Sequence, residues 1–306
     1  ADSVAAIDKL LDATKDNTGL VFNIAVNYGG RAEIVKAVNE LLAEPGRTEI
    51  TEEDISAHLY TGRVHDDIPD PDLAATRIAY VSVTEFYNGF ENMGVHPSKP
   101  IAYVMITILY AGHLFLGVNH TFLMAWVILS MMVSMIYGWK ITERKPYDAV
   151  ATLTALVYIV LFSYHIVIID NTPYPKMTWL VVIAAFGSDI MAYFTGYFLG
   201  KHKMAPNLSP KKTIEGAVGG VVGSAVLCGI FGYFFYPTMM VHCMIIGVLG
   251  GMVAEAGDLT ASMFKRGMGI KDYGHLIPGH GGIMDRFDSV IFVAPAVCYY
   301  ILFVLV

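Results

Sequence analysis

The chain has 306 residues, of which 55% are hydrophobic and only 15% charged, and its mean hydropathy is +0.53. Soluble domains carry about a quarter charged residues, so this composition excludes an ordinary soluble enzyme and points to lipid as the solvent. The net charge of -7 hides a division: residues 1–73 hold 6 Lys/Arg against 15 Asp/Glu, and residues 74–306 hold 14 against 12. An acidic, soluble-looking segment is joined to a near-neutral apolar one.

Taken in order, residues 1–73 predict part of an α/β protein. An amphipathic helix over about 3–15 leads to a strand-like run Leu20–Val26 and the turn Asn27-Tyr28-Gly29-Gly30. A second helix follows over about 31–43, and Thr51-Glu52-Glu53-Asp54 reads as a helix start with acidic residues at its N-terminus. One strand and about three helices cannot close a sheet, so the α/β segment is incomplete. Residues 1–18 have no hydrophobic run, and no signal peptide is expected there.

From Ile101 onward the pattern predicts seven spans, 101–118, 121–138, 148–169, 178–199, 214–235, 239–256 and 289–306. Each approaches the roughly 20 residues a helix needs to cross the hydrocarbon core. Isolated spans must satisfy their own backbone in lipid, so helices are expected: an α-helical polytopic membrane domain over 74–306. Loops 139–147, 200–213 and 257–288 carry eleven Lys/Arg and the opposite loops only Lys176, which predicts a cytoplasmic N-terminus. Cys228, Cys243 and Cys298 lie in apolar runs without metal-ligand spacing and are expected to pack. The same holds for His113, His165 and His242, while Gly216, Gly219, Gly220 and Gly223 fit a close helix interface.

Chemistry concentrates in Ser262–Asp288, dense in charge and glycine yet lying between two spans. On a helix, Glu255, Asp258, Ser262 and Lys265 share a face. Asp285 and Asp288 are three apart at the start of the last span, so two helix ends can bring three carboxylates together. Such oxygens suit Mg²⁺, which takes a few carboxylates plus water and substrate phosphate. Gly279, Gly281 and Gly282 around His280 allow close approach of backbone to a ligand. Asp189, beside Ser188 in an apolar span, should face the bundle interior, because carboxylates at membrane depth are functional by default.

Ser262, Lys265, Arg266, Lys271, Asp272, His280, Gly281, Gly282, Asp285, Arg286 and Asp288 together resemble the signature of the phosphatidate cytidylyltransferases. Ser209–Gly216, the helix around Ser188-Asp189 and, more weakly, Glu85-Phe86-Tyr87 resemble further segments of that family, over roughly residues 80–306. The resemblance implies transfer of a cytidylyl group from CTP to phosphatidate, giving CDP-diacylglycerol and pyrophosphate. It implies Asp258, Asp285 and Asp288 at metal, either two divalent ions or one Mg²⁺ with a monovalent cation. Lys265 and Arg266 would serve catalysis. Ser209, Lys211, Lys212, Thr213, Ser262, Lys271, His280, Gly281, Gly282, Arg286 and Asp189 would bind substrate. A bacterial-type inner membrane, a cytoplasmic active site and a homodimer are implied too, with no nucleic acid among the partners.

Residues 17–39 and the run Ile68-Pro69-Asp70-Pro71-Asp72-Leu73 resemble a different family, the cis-prenyltransferases that make undecaprenyl diphosphate. That family's Asp-Gly-Asn-Gly-Arg and Arg-Thr-Ser-Gly-Glu motifs are absent, so this segment, residues 1–73, is expected to be inert. The cytidylyltransferases usually begin with one or two spans before the Glu85 region, and Ala79–Val83 is too short to span. The alternative expectation is therefore an inactive fusion or truncation product that keeps the catalytic motif without the first helices.

Overall fold

The computed structural model describes residues 71–274 and 281–306. The elements expected at about 3–15, 20–26, 31–43 and 51–54 lie outside the described residues, as do Gly279 and His280.

The first described helix, α1 (Pro71–Glu91), is the element least evident from hydropathy. Ala79, Val83, Phe86 and Tyr87 recur at helical spacing and are all fully buried, which gives it one apolar stripe rather than an apolar circumference. It is accordingly not among the seven helices long and apolar enough to cross a membrane. Those seven are α2 (Lys99–Leu116), α3 (His120–Tyr137), α4 (Pro146–Asp170), α5 (Pro175–Leu199), α6 (Ile214–Phe235), α7 (Pro237–Gly267) and α8 (Met284–Leu305). Each corresponds to one expected span, and their exposed side chains, such as Phe115, Phe198, Val218 and Phe303, are those of a lipid-facing surface.

Local signals fix several helix ends. Asn119 accepts the Phe122 N–H at 2.9 Å to start α3. Asp148, almost wholly buried, starts α4 by accepting the N–H groups of Lys145 at 2.8 Å and His96 at 2.7 Å. Within α4 the turn Leu156–Leu161 is π-helical.

Two spans end elsewhere than hydropathy suggests. The sixth continues past residue 256 to Gly267, and the seventh begins at Met284 rather than 289. At 1.5 Å per residue the 31 residues of α7 extend about 46 Å, well beyond a hydrocarbon core of about 30 Å. Its charged last turns therefore reach past the apolar layer while remaining helical.

The contacts of α5, α6 and α7 are made backbone to backbone. A Cβ on Gly216 would lie 2.9 Å from the Ala192 carbonyl oxygen, and one on Gly220 2.9 Å from that of Ser188. A Cβ on Gly247 would lie 2.6 Å from the Ser224 carbonyl oxygen. Gly216 and Gly220 thus serve the packing role expected of them, and Gly247 extends it to α7.

Between α5 and α6 the chain makes an antiparallel hairpin, β1 (Lys203–Ala205) and β2 (Ser209–Thr213), where sequence suggests only a loop. Because successive spans reverse direction, this hairpin, the end of α7 and the start of α8 all lie at one end of the bundle. A buried aromatic group backs that end: Phe86 of α1 lies edge-on to Phe264 of α7, with centroids 5.0 Å apart, and meets Tyr158 of α4 and Tyr273.

Candidate active site

Two clusters of charge face each other at this end. The first is centred on Lys212, the penultimate residue of β2. The register Lys203↔Thr213 turns the Lys212 side chain towards α7, where its Nζ lies 2.7 Å from Glu255 Oε2 and 2.5 Å from Asp258 Oδ2. Burial alone would lower the Lys212 ammonium. The charges of Asp258 and Glu255 outweigh that cost and hold it above the usual lysine value.

Thr213 caps α6 by accepting the Gly216 N–H at 3.1 Å. Glu215 ties down the chain entering the hairpin, accepting the N–H of Lys201 at 3.0 Å and contacting His202 Nδ1 at 2.6 Å. The hairpin is thus a shaped wall, and between it, α5 and α6 opens a cavity of about 470 Å³. Lys203, Lys211, Lys212, Asp189 and Glu255 line it, with Tyr193 and Tyr197 at the side. Asp189 does turn inward, into this cavity, and Ser289 Oγ of α8 donates to its Oδ2 at 3.4 Å.

The second cluster is centred on Lys265, two helical turns beyond Asp258. Its Nζ lies 3.0 Å from Asp285 Oδ1 and 4.0 Å from Asp288 Oδ2 on α8, and 5.4 Å from the Tyr273 ring centroid. Asp285 Oδ2 also accepts two backbone N–H groups, from Tyr273 at 2.7 Å and Gly282 at 3.0 Å. Behind it, Glu85 of α1 accepts the N–H of Ile283 at 3.2 Å and of Met284 at 2.8 Å.

The expected site residues therefore separate. Asp258, Asp285, Asp288, Lys265, Lys212 and Asp189 come together. Ser262 and Arg266 follow on α7, and Arg266 Nε reaches the Leu208 carbonyl at 3.5 Å across to the hairpin. Ser209 opens β2, Lys211 lines the cavity, and Lys271 and Arg286 are exposed. Gly282 permits close approach of Glu85, whose carboxylate oxygens would lie 2.5 Å from a Cβ there. Gly281 is required for its backbone, with φ +88.

Lys203, Glu255 and Glu85 complete the site although sequence reasoning gave them no binding role. Glu255 has a signal, its i−3 relation to Asp258, whereas Glu85 is a lone carboxylate in an apolar run. His113, His165 and His242 are packing residues, bonded to Tyr164, the Leu161 carbonyl and Tyr300. The three cysteines are free and buried.

Among the described residues, no group of three or more His, Cys, Asp or Glu side chains converges as a ready-made metal cage. Mg²⁺ does not require one, since it is held by one or two carboxylates and completes its shell with water and phosphate. Asp189, Asp258 and Asp288 lie close enough to act electrostatically on one another, from α5, α7 and α8, with Lys212 and Lys265 as their nearest cations. Their oxygens are hard donors of the type a divalent ion takes. Asp285 fits less directly, because Lys265 and two N–H groups already occupy its oxygens.

Residues 73–304 match the cytidylyltransferase family, and residues 1–77 match an undecaprenyl diphosphate synthase family. The phosphatidate cytidylyltransferase of Synechocystis is 47% identical over 132 residues, 41% of this chain and 44% of that protein. That of Bacillus subtilis is 34% identical over 170 residues, covering 54% and 63%. That of Haemophilus influenzae is 42% identical over 130 residues, covering 41% and 45%. The chain spans about half the length of the curated relatives it matches. With a family match that runs over most of its length, including every helix of the bundle, this chain belongs to the cytidylyltransferase family.

Proposed function

We propose that the protein transfers the cytidylyl group of CTP to phosphatidate, giving CDP-diacylglycerol and pyrophosphate. The observation that carries this reading is the cavity in which Lys203, Lys211 and Lys212 face Asp189 and Glu255, with Asp258 on the same lysine. A triphosphate needs several cations within reach, and a lipid phosphate needs a site open to the membrane boundary. This cavity supplies the cations, at the polar end of the bundle.

In the reaction, a phosphate oxygen of phosphatidate forms a bond to the α-phosphorus of CTP. The bond from that phosphorus to the oxygen bridging to the β-phosphorus breaks, and its electron pair leaves with pyrophosphate. Positioning and charge neutralisation do most of the work in such transfers. Lys203, Lys211 and Lys212 hold the triphosphate from the hairpin side. Lys265, Arg266 and Arg286 approach from α7 and α8 and balance the charge of the departing pyrophosphate. Bound Mg²⁺ would add charge neutralisation and alignment of the phosphates, with Asp258 and Asp288 holding it and Asp285 fixing Lys265 beside them. Lys212 stays charged in its carboxylate pair, so incoming phosphate can take over its Nζ, which would leave Asp258 free to hold a divalent ion.

The loop charges support a cytoplasmic site, and bacterial relatives support an inner-membrane location. A homodimer belongs to the same reading and is checked by the mass of the detergent-solubilised particle. The test of function is release of pyrophosphate from CTP by purified protein, which should require phosphatidate and Mg²⁺ together. Release with CTP and Mg²⁺ alone would make the protein a CTP hydrolase instead.

A further inference from the structure

We infer that Glu85 is a positioning residue for the site, a carboxylate from α1 that fixes where α8 begins and hence where Asp285, Arg286 and Asp288 stand. The inference rests on the proposed cytidylyl transfer for its catalytic consequence but not for its structural content.

Three observations carry it. Glu85 lies on the apolar stripe of α1 with only 8% of its surface exposed, and it faces no lysine or arginine among the described ion pairs. Both oxygens are nevertheless used: Oε1 accepts the N–H of Ile283, the residue just before α8, and Oε2 that of Met284, the first donor of α8, which has no partner within its own helix. Space for the carboxylate is made by two glycines. A Cβ on Gly282 would lie 2.5 Å from both oxygens, and one on Gly274 would collide with Oε1 as well.

Glu85 therefore bonds the chain at the start of α8 and lies close against Gly274, before the segment that leads into it. Asp285 grips both sides of that segment, through the N–H groups of Tyr273 and Gly282. Burial pushes the Glu85 carboxyl above the usual range, while the Met284 and Ile283 donors favour its charged form. A desolvated carboxylate held at that cost over a helix start makes sense where the position of the helix start matters.

The decisive substitution is Glu85→Gln, of nearly equal volume. Its amide keeps one acceptor but turns an NH₂ towards a backbone N–H, leaving one donor of α8 unsatisfied. Glu85→Asp serves as the conservative variant. Tyr87→Phe, on the same helix, removes a buried hydrogen bond to the Thr152 carbonyl, 2.8 Å long and remote from α8, and serves as the structural control.

Hydrogen exchange is followed on the full chain in detergent, together with kcat and KM for CTP at a temperature where every variant is folded. Glu85→Gln should speed exchange selectively over residues 281–286 and lower kcat by about 10- to 100-fold, with KM for CTP changed far less. Glu85→Asp should recover part of both, and Tyr87→Phe should show neither effect. Unchanged exchange over 281–286 in Glu85→Gln would overturn the inference, as would faster exchange with kcat within about twofold of wild type. So would a kcat loss no greater than that of Tyr87→Phe at equal thermal stability. If wild-type protein releases no pyrophosphate, the reading of function fails, while the exchange measurement still decides whether Glu85 sets the start of α8.

Discussion

The two halves of the polar end are built on different principles. On the hairpin side, Lys212, Glu255, Asp258 and Asp189 meet through side chains alone, beside an open cavity. On the α8 side, Glu85 and Asp285 use their oxygens largely on backbone N–H groups and leave little unsatisfied. Side-chain ion pairs can be exchanged for phosphate and metal when substrate arrives, because each lysine simply changes anion. Backbone clamps cannot be exchanged without moving the chain. The hairpin side is therefore the working half, and on the α8 side Glu85 and Asp285 form the frame that holds Lys265, Arg286 and Asp288 in register with it.

That division can be broken by substitution. The largest effect is expected at Asp258, where Asn keeps the shape and removes the charge. Asp258→Asn should lower turnover by on the order of 10³-fold with the melting temperature nearly unchanged. Asp285→Asn should also cost about 10- to 100-fold in turnover but lower the melting temperature as well, since it loosens Lys265, Tyr273 and Gly282 together. If the two variants lost activity and stability in the same proportion, the division into working half and frame would be wrong.

Lys212→Met should raise KM for CTP by about tenfold or more, the cost of one charge-assisted phosphate contact. It should also destabilise the protein by leaving Glu255 and Asp258 without their cation. Adding Glu255→Gln should recover stability but not KM, a split readable by melting and steady-state kinetics. The smallest effect is expected at Tyr87→Phe, about 1 kcal/mol of stability with kcat unchanged.

Much of the bundle is legible from hydropathy, because a span in lipid must be apolar over about 20 residues whatever its neighbours. Hydropathy fails at α1, whose stripe of Ala79, Val83, Phe86 and Tyr87 is buried by other helices rather than by lipid. It fails again at residues 257–267, where charge suggests a loop although α7 continues beyond the apolar layer. The hairpin is hidden because Lys203–Thr213 lacks an alternating apolar pattern, its shape being set by Glu215 and the Thr213 cap.

In the site, spacing on one helix reveals Asp258 with Lys265 and Asp285 with Asp288. Pairings across the fold, such as Lys212 with Asp258 or Glu85 with Met284, carry no local signal. The glycines show the same limit: Gly282 lies against Glu85 from the far end of the sequence, which no local pattern reveals.

The central claim is that the hairpin-side cavity activates CTP towards a lipid phosphate. Its most direct test is pyrophosphate release by purified full-length chain given CTP, phosphatidate and Mg²⁺, with Asp258→Asn in parallel. The account predicts release that stops when any of the three components is withheld and is nearly abolished in the variant. Release that persists in Asp258→Asn, or folded wild-type protein that binds CTP and releases none, would contradict it.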